Sequence, residues 1–294
     1  MDERAALALV GDVVQAAGDD AAYLDGQVFT IDMLHETTDF PPGTTPYTTG
    51  WRAIGASLSD VAAMGAEATA AVAAYGAPDF ERGALTSFFA GATDVCEAVD
   101  ARYVGGDLDH HDEPTVATAA LGWTETPVYR SGASPGEVVC VTGTFGRTAA
   151  AMEAFAADDV DRGNELFQFT PRVAAGTALS GYATAMMDSS DGLARSLHQL
   201  AAASSCGFDV ERDTVPADPA VGEYAASGSD ALEMALYYGE DFELVFTVPP
   251  SDLDAARDAV DVPVTAVGEA TEGGLLLDGE PLPDRGYTHG AESA

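Results

Sequence analysis

Two α/β (α+β) domains are the fold class this sequence predicts, and three observations predict it. Helix-period and strand-period apolar patterns alternate along the chain. A Gly/Ser/Pro-rich break, RSGASPG at 130–136, interrupts the alternation, which then restarts. A length of 294 residues suits one large or two medium domains, and 47% hydrophobic residues supply a core for either. The boundary is set at 132/133, giving domains 1–132 and 133–294.

Taken in order, residues 5–15 carry Leu7, Val10 and Val14 at helical spacing and stop at Gly18. Residues 21–24 and 28–34 read as strands joined across Asp25-Gly26, a hairpin signal. Within the second strand, Val28, Phe29, Ile31, Met33 and Leu34 form a run that reads as buried. Residues 39–47 read as a Pro/Gly/Thr loop, long enough to be a mobile flap. A helix over 50–64 stops at Gly65. A strand at 68–75 and a long amphipathic helix at 80–99 follow. A short strand at 103–104 runs into a Gly-Gly-Asp turn, and 115–124 alternates as a strand. Beyond the break come strands at 137–141, 183–187, 243–248, 264–267 and 274–277. Helices are expected at 146–155, at 171–179 with Pro171 in the first turn, at 192–203 and near 251–260.

The charge is the loudest global signal. Asp and Glu number 49 against 12 Lys plus Arg, a net charge of −37, and the sequence contains no lysine. The acids are interspersed with Ala, Val and Leu rather than blocked together, which excludes a disordered acidic chain. In 1 M salt the Debye length is only about 3 Å, so the self-repulsion of such a surface is screened. A halophile's solvated surface is the reading that fits. Nucleic-acid binding is excluded for want of a basic face. Without lysine there is no P-loop, so nucleotide chemistry must use metal ions, arginine and backbone N–H groups. Cys96, Cys140 and Cys206 are odd in number and widely spaced, and read as reduced thiols. The acidic start MDERAALALV is no signal peptide, and no run reaches the ~18 apolar residues of a membrane span. A cytoplasmic protein is expected.

With acids so common, only those in apolar or glycine-tight settings carry weight. Asp20 sits at a glycine turn, Asp32 inside an apolar strand, and Asp60 in the small-residue helix GASLSDVAAMGA. Asp107 follows Gly105-Gly106. Asp188 and Asp191 occur in MDSSDGL, where a strand meets the N-terminus of a helix. Glu240 and Asp241 stand between Gly239 and a buried strand. Dispersed carboxylates without His or Cys companions are oxygen-only donors, which suit Mg²⁺ or Ca²⁺ and not zinc. Mg²⁺ takes one or two carboxylates plus phosphate oxygens, so many carboxylates imply several ions and several ions a polyphosphate. Plainer readings stand beside these: turn residue for Asp19, helix cap for Asp60 or Asp191, surface arginine for Arg130. The DHHDE run at 109–113 reads as a solvated loop.

The motifs GDDAAYL, FTIDMLHETTDF, GASLSDVAAMGA, YVGGD, YRSGASPGEVVCVTG, MDSSDGL, GEDFELVFTVP and RGYTH occur in one order over nearly the whole chain. In this the sequence resembles the thiamine-monophosphate kinases of the aminoimidazole-ribotide-synthetase-like superfamily. The resemblance implies an N-terminal α/β domain that dimerises through its sheet and a C-terminal α/β domain that closes over nucleotide and substrate. It implies ATP-dependent phosphorylation of thiamine phosphate to thiamine diphosphate, in line, across several Mg²⁺ ions, with no covalent catalytic residue. Carried over by position, Asp20, Thr30, Asp32, Asp60, Asp107, Asp188 and Asp191 form the metal shell. Gly106, Arg130 and Ser190 would meet ATP. Asp39, Glu240 and Tyr287 would meet thiamine phosphate, Tyr287 through cation–π attraction to a cationic ring.

Three departures from the pattern stand out: Asp39 where many members have histidine, Ile31 and Leu108 where threonine is usual. Sister enzymes are the alternative, namely aminoimidazole ribotide synthetase, selenophosphate synthetase or a hydrogenase-maturation ATPase. No Cys precedes Cys96, as selenophosphate synthetase would need, and the sequence given ends Ala291-Glu-Ser-Ala294, not in the maturation ATPase's cysteine. A non-enzymatic cation-binding acidic protein is a remote alternative that leaves the apolar setting of Asp32 and Asp60 unexplained.

Overall fold

The structure is a computed structural model that describes residues 10, 13, 14 and 17–287; the helix expected over residues 5–15 lies largely outside them. β1 (Ala22–Leu24) and β2 (Gln27–His35) form the expected hairpin, with Asp25 and Gly26 at φ 49° and 88°. β3 (Glu67–Ala77), β4 (Arg102–His110) and β5 (Thr115–Trp123) complete a five-stranded sheet in the order β1-β2-β5-β3-β4. Its pairs are antiparallel except β3–β4, which the Arg82–Glu97 helix joins as a parallel crossover.

The second half builds a seven-stranded sheet ordered β12-β11-β8-β10-β6-β9-β7. Its strands are β6 (Val138–Thr142), β7 (Ala185–Asp188), β8 (Gly207–Val210), β9 (Leu244–Val248), β10 (Val264–Thr271), β11 (Leu275–Leu277) and β12 (Glu280–Pro281). The sheet is antiparallel apart from β8–β11. Helices missed in the sequence at Val160–Phe167 and Gly228–Tyr237 are short and interrupted by polar residues, as is β8.

One element organises both halves. The Pro46–Ala63 helix is capped by Thr45, whose hydroxyl accepts the Thr48 N–H, and has Pro46 in its first turn. It therefore starts four residues before the expected Gly50, and with the Glu36–Asp39 turn of helix it shortens the expected flap. The helix is buried almost all round: Ile54, Leu58 and Val61 share one hydrophobic cluster with Val28 and Val116 of the first sheet and Met186, Leu244 and Phe246 of the second. It crosses the Arg82–Glu97 helix at Gly50 and Gly91, where a Cβ would stand 2.1 Å from Phe88 O and 2.0 Å from Tyr47 O. Only glycine permits that backbone contact. Among the described residues no helix is long and apolar enough to cross a membrane.

Two strand expectations need correction. In β2 only Val28 and Leu34 of the apolar run are buried; Phe29, Ile31 and Met33 point outward, Ile31 with 76% of its surface exposed. The period-2 pleat decides it, since Thr30 and Asp32 share the inner face with Val28 and Leu34. β4 does not stop at Val104 but runs on to His110, so Gly105-Gly106 is no turn. Its register against β3 slips at Val104, a β-bulge, and Gly106 lies so close to β3 that a Cβ would sit 1.7 Å from Ala73 O.

Candidate active site

Three elements deliver one carboxylate each to a common point. Asp20 comes from the turn before β1, Asp60 from the last turn of the Pro46–Ala63 helix, and Asp188 from the end of β7. One oxygen from each lies within 4.8 Å of the others. Arg130 grips Asp20 with a fork, Nε to Oδ2 at 3.1 Å and Nη2 to Oδ1 at 2.9 Å, and its own N–H donates to Asp19 Oδ1 at 2.7 Å. Thr30 Oγ1 donates to Asp60 Oδ2 at 2.6 Å, and Ser59 Oγ to Asp188 Oδ2 at 2.6 Å. Asp32 stands beside the group; Ser57 donates to its Oδ2 at 2.5 Å and lies 2.8 Å from the Thr118 hydroxyl on β5.

The electrostatics are unbalanced. Burial, reinforced by the charges of Asp32, Asp188 and Asp20, holds the Asp60 carboxyl well above its ordinary range. Burial, then the neighbouring Asp20, pushes Asp188 up to about 8 against the opposing bond from Ser59. Burial likewise raises Asp32. Four acids face one guanidinium, a configuration stable at neutral pH only with added positive charge or bound protons. The donors are hard oxygens, each carboxylate oxygen keeping a lone pair beyond the bonds described. The wholly buried Ser189 hydroxyl, next to Asp188, has no hydrogen-bond partner among the described residues. This donor set fits Mg²⁺ or Mn²⁺.

A cavity of about 460 Å³ opens beside this corner, walled by Asp39, Phe40, Tyr238, Glu240 and Tyr287. Two turns connect it to the carboxylates. Glu240 N–H donates to Ser190 O at 2.6 Å, Phe242 N–H to Ser189 O at 3.1 Å, and Ser189 N–H to Glu243 O at 2.8 Å. Tyr287 N–H donates to Asp191 O at 3.0 Å. Asp39 is 8% exposed and its Oδ2 accepts the His35 N–H at 2.7 Å and the Thr38 hydroxyl at 2.8 Å, so it also ties the turn that bears it.

Asp241 turns away from both. Its oxygens accept Gly146 N–H at 2.6 Å and Thr148 N–H at 3.0 Å, capping the Arg147–Ala156 helix from another segment. Burial pushes its carboxyl up to about 7 despite those two donors. A folded value above the unfolded one means that its stabilising protonation is present below pH ~4 and lost as pH rises through about 7. Asp241→Asn should therefore flatten the fall of unfolding free energy between pH ~4 and ~7. Urea unfolding across that range reads the slope, and an unchanged slope contradicts the assignment.

The structure thus gathers Asp20, Thr30, Asp32, Asp60, Asp188 and Arg130, with Ser190 and Asp191 in the adjoining turn. Asp39, Glu240 and Tyr287 share the cavity. It does not bring Asp107 or Gly106 there. Both lie within β4 on the far edge of the sheet, and exposed Asp107 accepts the Leu108 N–H at 2.9 Å. The strand-end position expected for Asp107 is corrected accordingly. Asp60 lies inside its helix and is not a cap. Asp109 and His110 belong to β4 and not to a loop, and among the described residues no second group of three metal-type side chains occurs. The cysteines are unpaired thiols, Cys96 and Cys140 buried. Sequence reasoning missed Ser57, Ser59 and Arg52. A charged residue in the helix GWRAIGASLSDVAAM, in a chain with so few cations, was the available signal for Arg52.

Both halves of the chain match models of the AIR synthase related protein: the N-terminal domain over residues 18–124 and the C-terminal domain over 134–276. The thiamine-monophosphate kinase of Halobacterium salinarum is 60% identical over 291 residues, spanning 98% of this chain and 100% of that protein. Among solved structures, AaThiL complexed with AMPPCP and TMP superposes with a TM-score of 0.88 at 27% identity, covering 98% of this chain and 97% of that one. The hydrogenase maturation protein HypE of E. coli shares the fold, with a TM-score of 0.69 at 21% identity.

Proposed function

The chain belongs to the thiamine-monophosphate kinase family, and on that premise we propose that it transfers the γ-phosphoryl group of ATP to thiamine phosphate, giving thiamine diphosphate and ADP. The observation that carries the reading is the largely buried carboxylate group, with Asp188 fully enclosed, joined through two hydrogen-bonded turns to an aromatic-walled cavity. The likeness to AaThiL, a protein complexed with AMPPCP and TMP, supports ATP and thiamine phosphate as the two substrates. HypE, at 21% identity, supports the fold alone.

Asp20, Asp32, Asp60 and Asp188, with Thr30 and Asp191, would hold Mg²⁺, which when bound neutralises phosphate charge and aligns the transferring group. Arg130 fixes Asp20 and sets a guanidinium beside the phosphate site, and Ser190 offers a hydroxyl at its rim. Asp39, Glu240 and Tyr287 hold the acceptor, the two acids facing the cationic thiazolium. No nucleophile or protein base is needed, because phosphoryl transfer rests on positioning and charge neutralisation. The metal role of Asp107 and the ATP role of Gly106 are proposals too; from the far edge of the sheet, both would have to reach the nucleotide across a subunit interface. We take 132/133 as the domain boundary and the cytoplasm, where ATP is available, as the location.

The test is thiamine diphosphate formation in multimolar KCl with ATP, thiamine phosphate and Mg²⁺, omitting each in turn. Product that depends on all three supports the reading. No product from protein folded in the same salt sinks it.

A homodimer through the outer face of the first sheet is also proposed. Phe29, Ile31, Met33, Val72, Val104 and Leu121 are all exposed there, a contiguous apolar face of the kind that marks an interface. Ile31→Glu should convert a particle of twice the 30.2 kDa chain mass to a monomer in light scattering. A wild-type monomer, or a dimer indifferent to the charge, contradicts it.

A further inference from the structure

We propose that Arg52 is a positioning residue for thiamine phosphate, acting through Glu240; the inference rests on the reading of Glu240 as a substrate contact. Arg52 stands on the Pro46–Ala63 helix and is 1% exposed. Every partner of its guanidinium lies in the second half of the chain. Nη1 donates to Phe167 O at 2.7 Å, and Nη2 to Glu240 O at 3.0 Å and to Glu240 Oε2 at 2.7 Å. The planar group lies over the Phe167 ring at 3.7 Å, with Phe169 and Phe242 at 5.4 and 5.5 Å. A buried cation is thus enclosed by aromatic faces on one side and satisfied by fixed acceptors on the other.

The arrangement answers a specific need. Glu240 and Phe242 are non-glycine residues held at φ 59° and 53°, a left-handed backbone that side chains avoid. Such a conformation persists only when its surroundings over-determine it. Arg52 grips Glu240 at both its carbonyl and its carboxylate, and Thr148 Oγ1 adds a bond to the same carbonyl at 2.8 Å. The Glu240 side chain, 23% exposed, is thereby held at the cavity wall. The same backbone reaches Ser190 O beside Asp188. Arg52 does not itself line the cavity, and the cavity-wall residue to which its guanidinium hydrogen-bonds is Glu240.

The test is a double-mutant cycle on the full chain in multimolar KCl. Arg52→Met keeps volume and contact with the aromatic faces but loses the hydrogen bonds to Glu240. It should raise KM for thiamine phosphate at least about tenfold while KM for ATP stays within about twofold. In a Glu240→Ala background, Arg52→Met should add almost nothing to KM. Additive losses, or equal effects on the two KM values, overturn the proposal and leave Arg52 a structural residue. Arg52→Lys keeps charge and packing and guards against misfolding of the Met variant. It should fall between wild type and Met in KM for thiamine phosphate; a Lys variant folded as wild type with unchanged KM overturns the assignment of the positioning to the guanidinium. If Glu240→Ala itself leaves KM for thiamine phosphate unchanged, the substrate reading of Glu240 fails, and the proposal with it. An Arg52 effect confined to wild-type Glu240 supports both.

Discussion

Asp60→Asn should all but abolish turnover while making the metal-free protein harder to unfold. Both halves of that result come from one carboxylate. Asp60 lies within 4.8 Å of Asp20 and Asp188, and its charge is opposed by burial and by three neighbouring acids. Groups whose folded values are raised stabilise the fold at low pH and cease to as pH rises through those values, here about 8 for Asp188. In EDTA the wild type therefore takes on the repulsion of the group as pH rises through about 8, and asparagine relieves it at one corner. With ATP and Mg²⁺ the same charge is needed to hold the cation, and its loss should cost a factor of about 10³ or more in kcat, some 4 kcal/mol of transition-state stabilisation. Thermal unfolding in EDTA and steady-state kinetics read the two effects. An Asn variant of near-full activity, or one less stable than wild type without metal, contradicts the account.

Arg130→Ala should show the opposite coupling, losing stability and nucleotide affinity together. Its fork satisfies both oxygens of Asp20, a side chain with only 1% of its surface exposed. Removing one partner of a buried pair leaves an uncompensated charge, a loss of about 3–5 kcal/mol. Here that charge faces Asp60 and Asp188 as well. Apparent KM for ATP should rise at least about tenfold, with KM for thiamine phosphate changed far less. Adding Asp20→Asn should restore much of the stability without restoring ATP affinity. Equal rises in both KM values, or no change in stability, would show that the guanidinium is not the partner on which Asp20 depends.

What the sequence made legible was what local rules decide. The Asp25-Gly26 hairpin, the helix that ends before Gly65 and the strand-to-helix corner at Asp188 each follow from turn chemistry and periodicity within a dozen residues. The acids that converge were found because they sit in apolar or glycine-tight settings, where an unpaired charge is expensive. What escaped was set by partners far away in the chain. The outward face of β2 depends on which side the Pro46–Ala63 helix covers. The path of β4 through Gly105-Gly106 depends on its pairing with β3, which turned an expected turn into a bulge. Asp241 looks like Asp188 in sequence, yet caps a helix that begins 94 residues earlier, at Arg147. Arg52 carried no motif, and its role became visible only with Phe167 and Glu240 folded around it.

Whether these carboxylates hold the cations is read most directly from an anomalous difference map of crystals grown with Mn²⁺, AMPPCP and thiamine phosphate. Peaks are expected within about 2.5 Å of Asp60 and Asp188 oxygens, with the nucleotide's phosphates beside them. Nucleotide bound with no peak at these carboxylates, or peaks confined to the acidic surface, would contradict it.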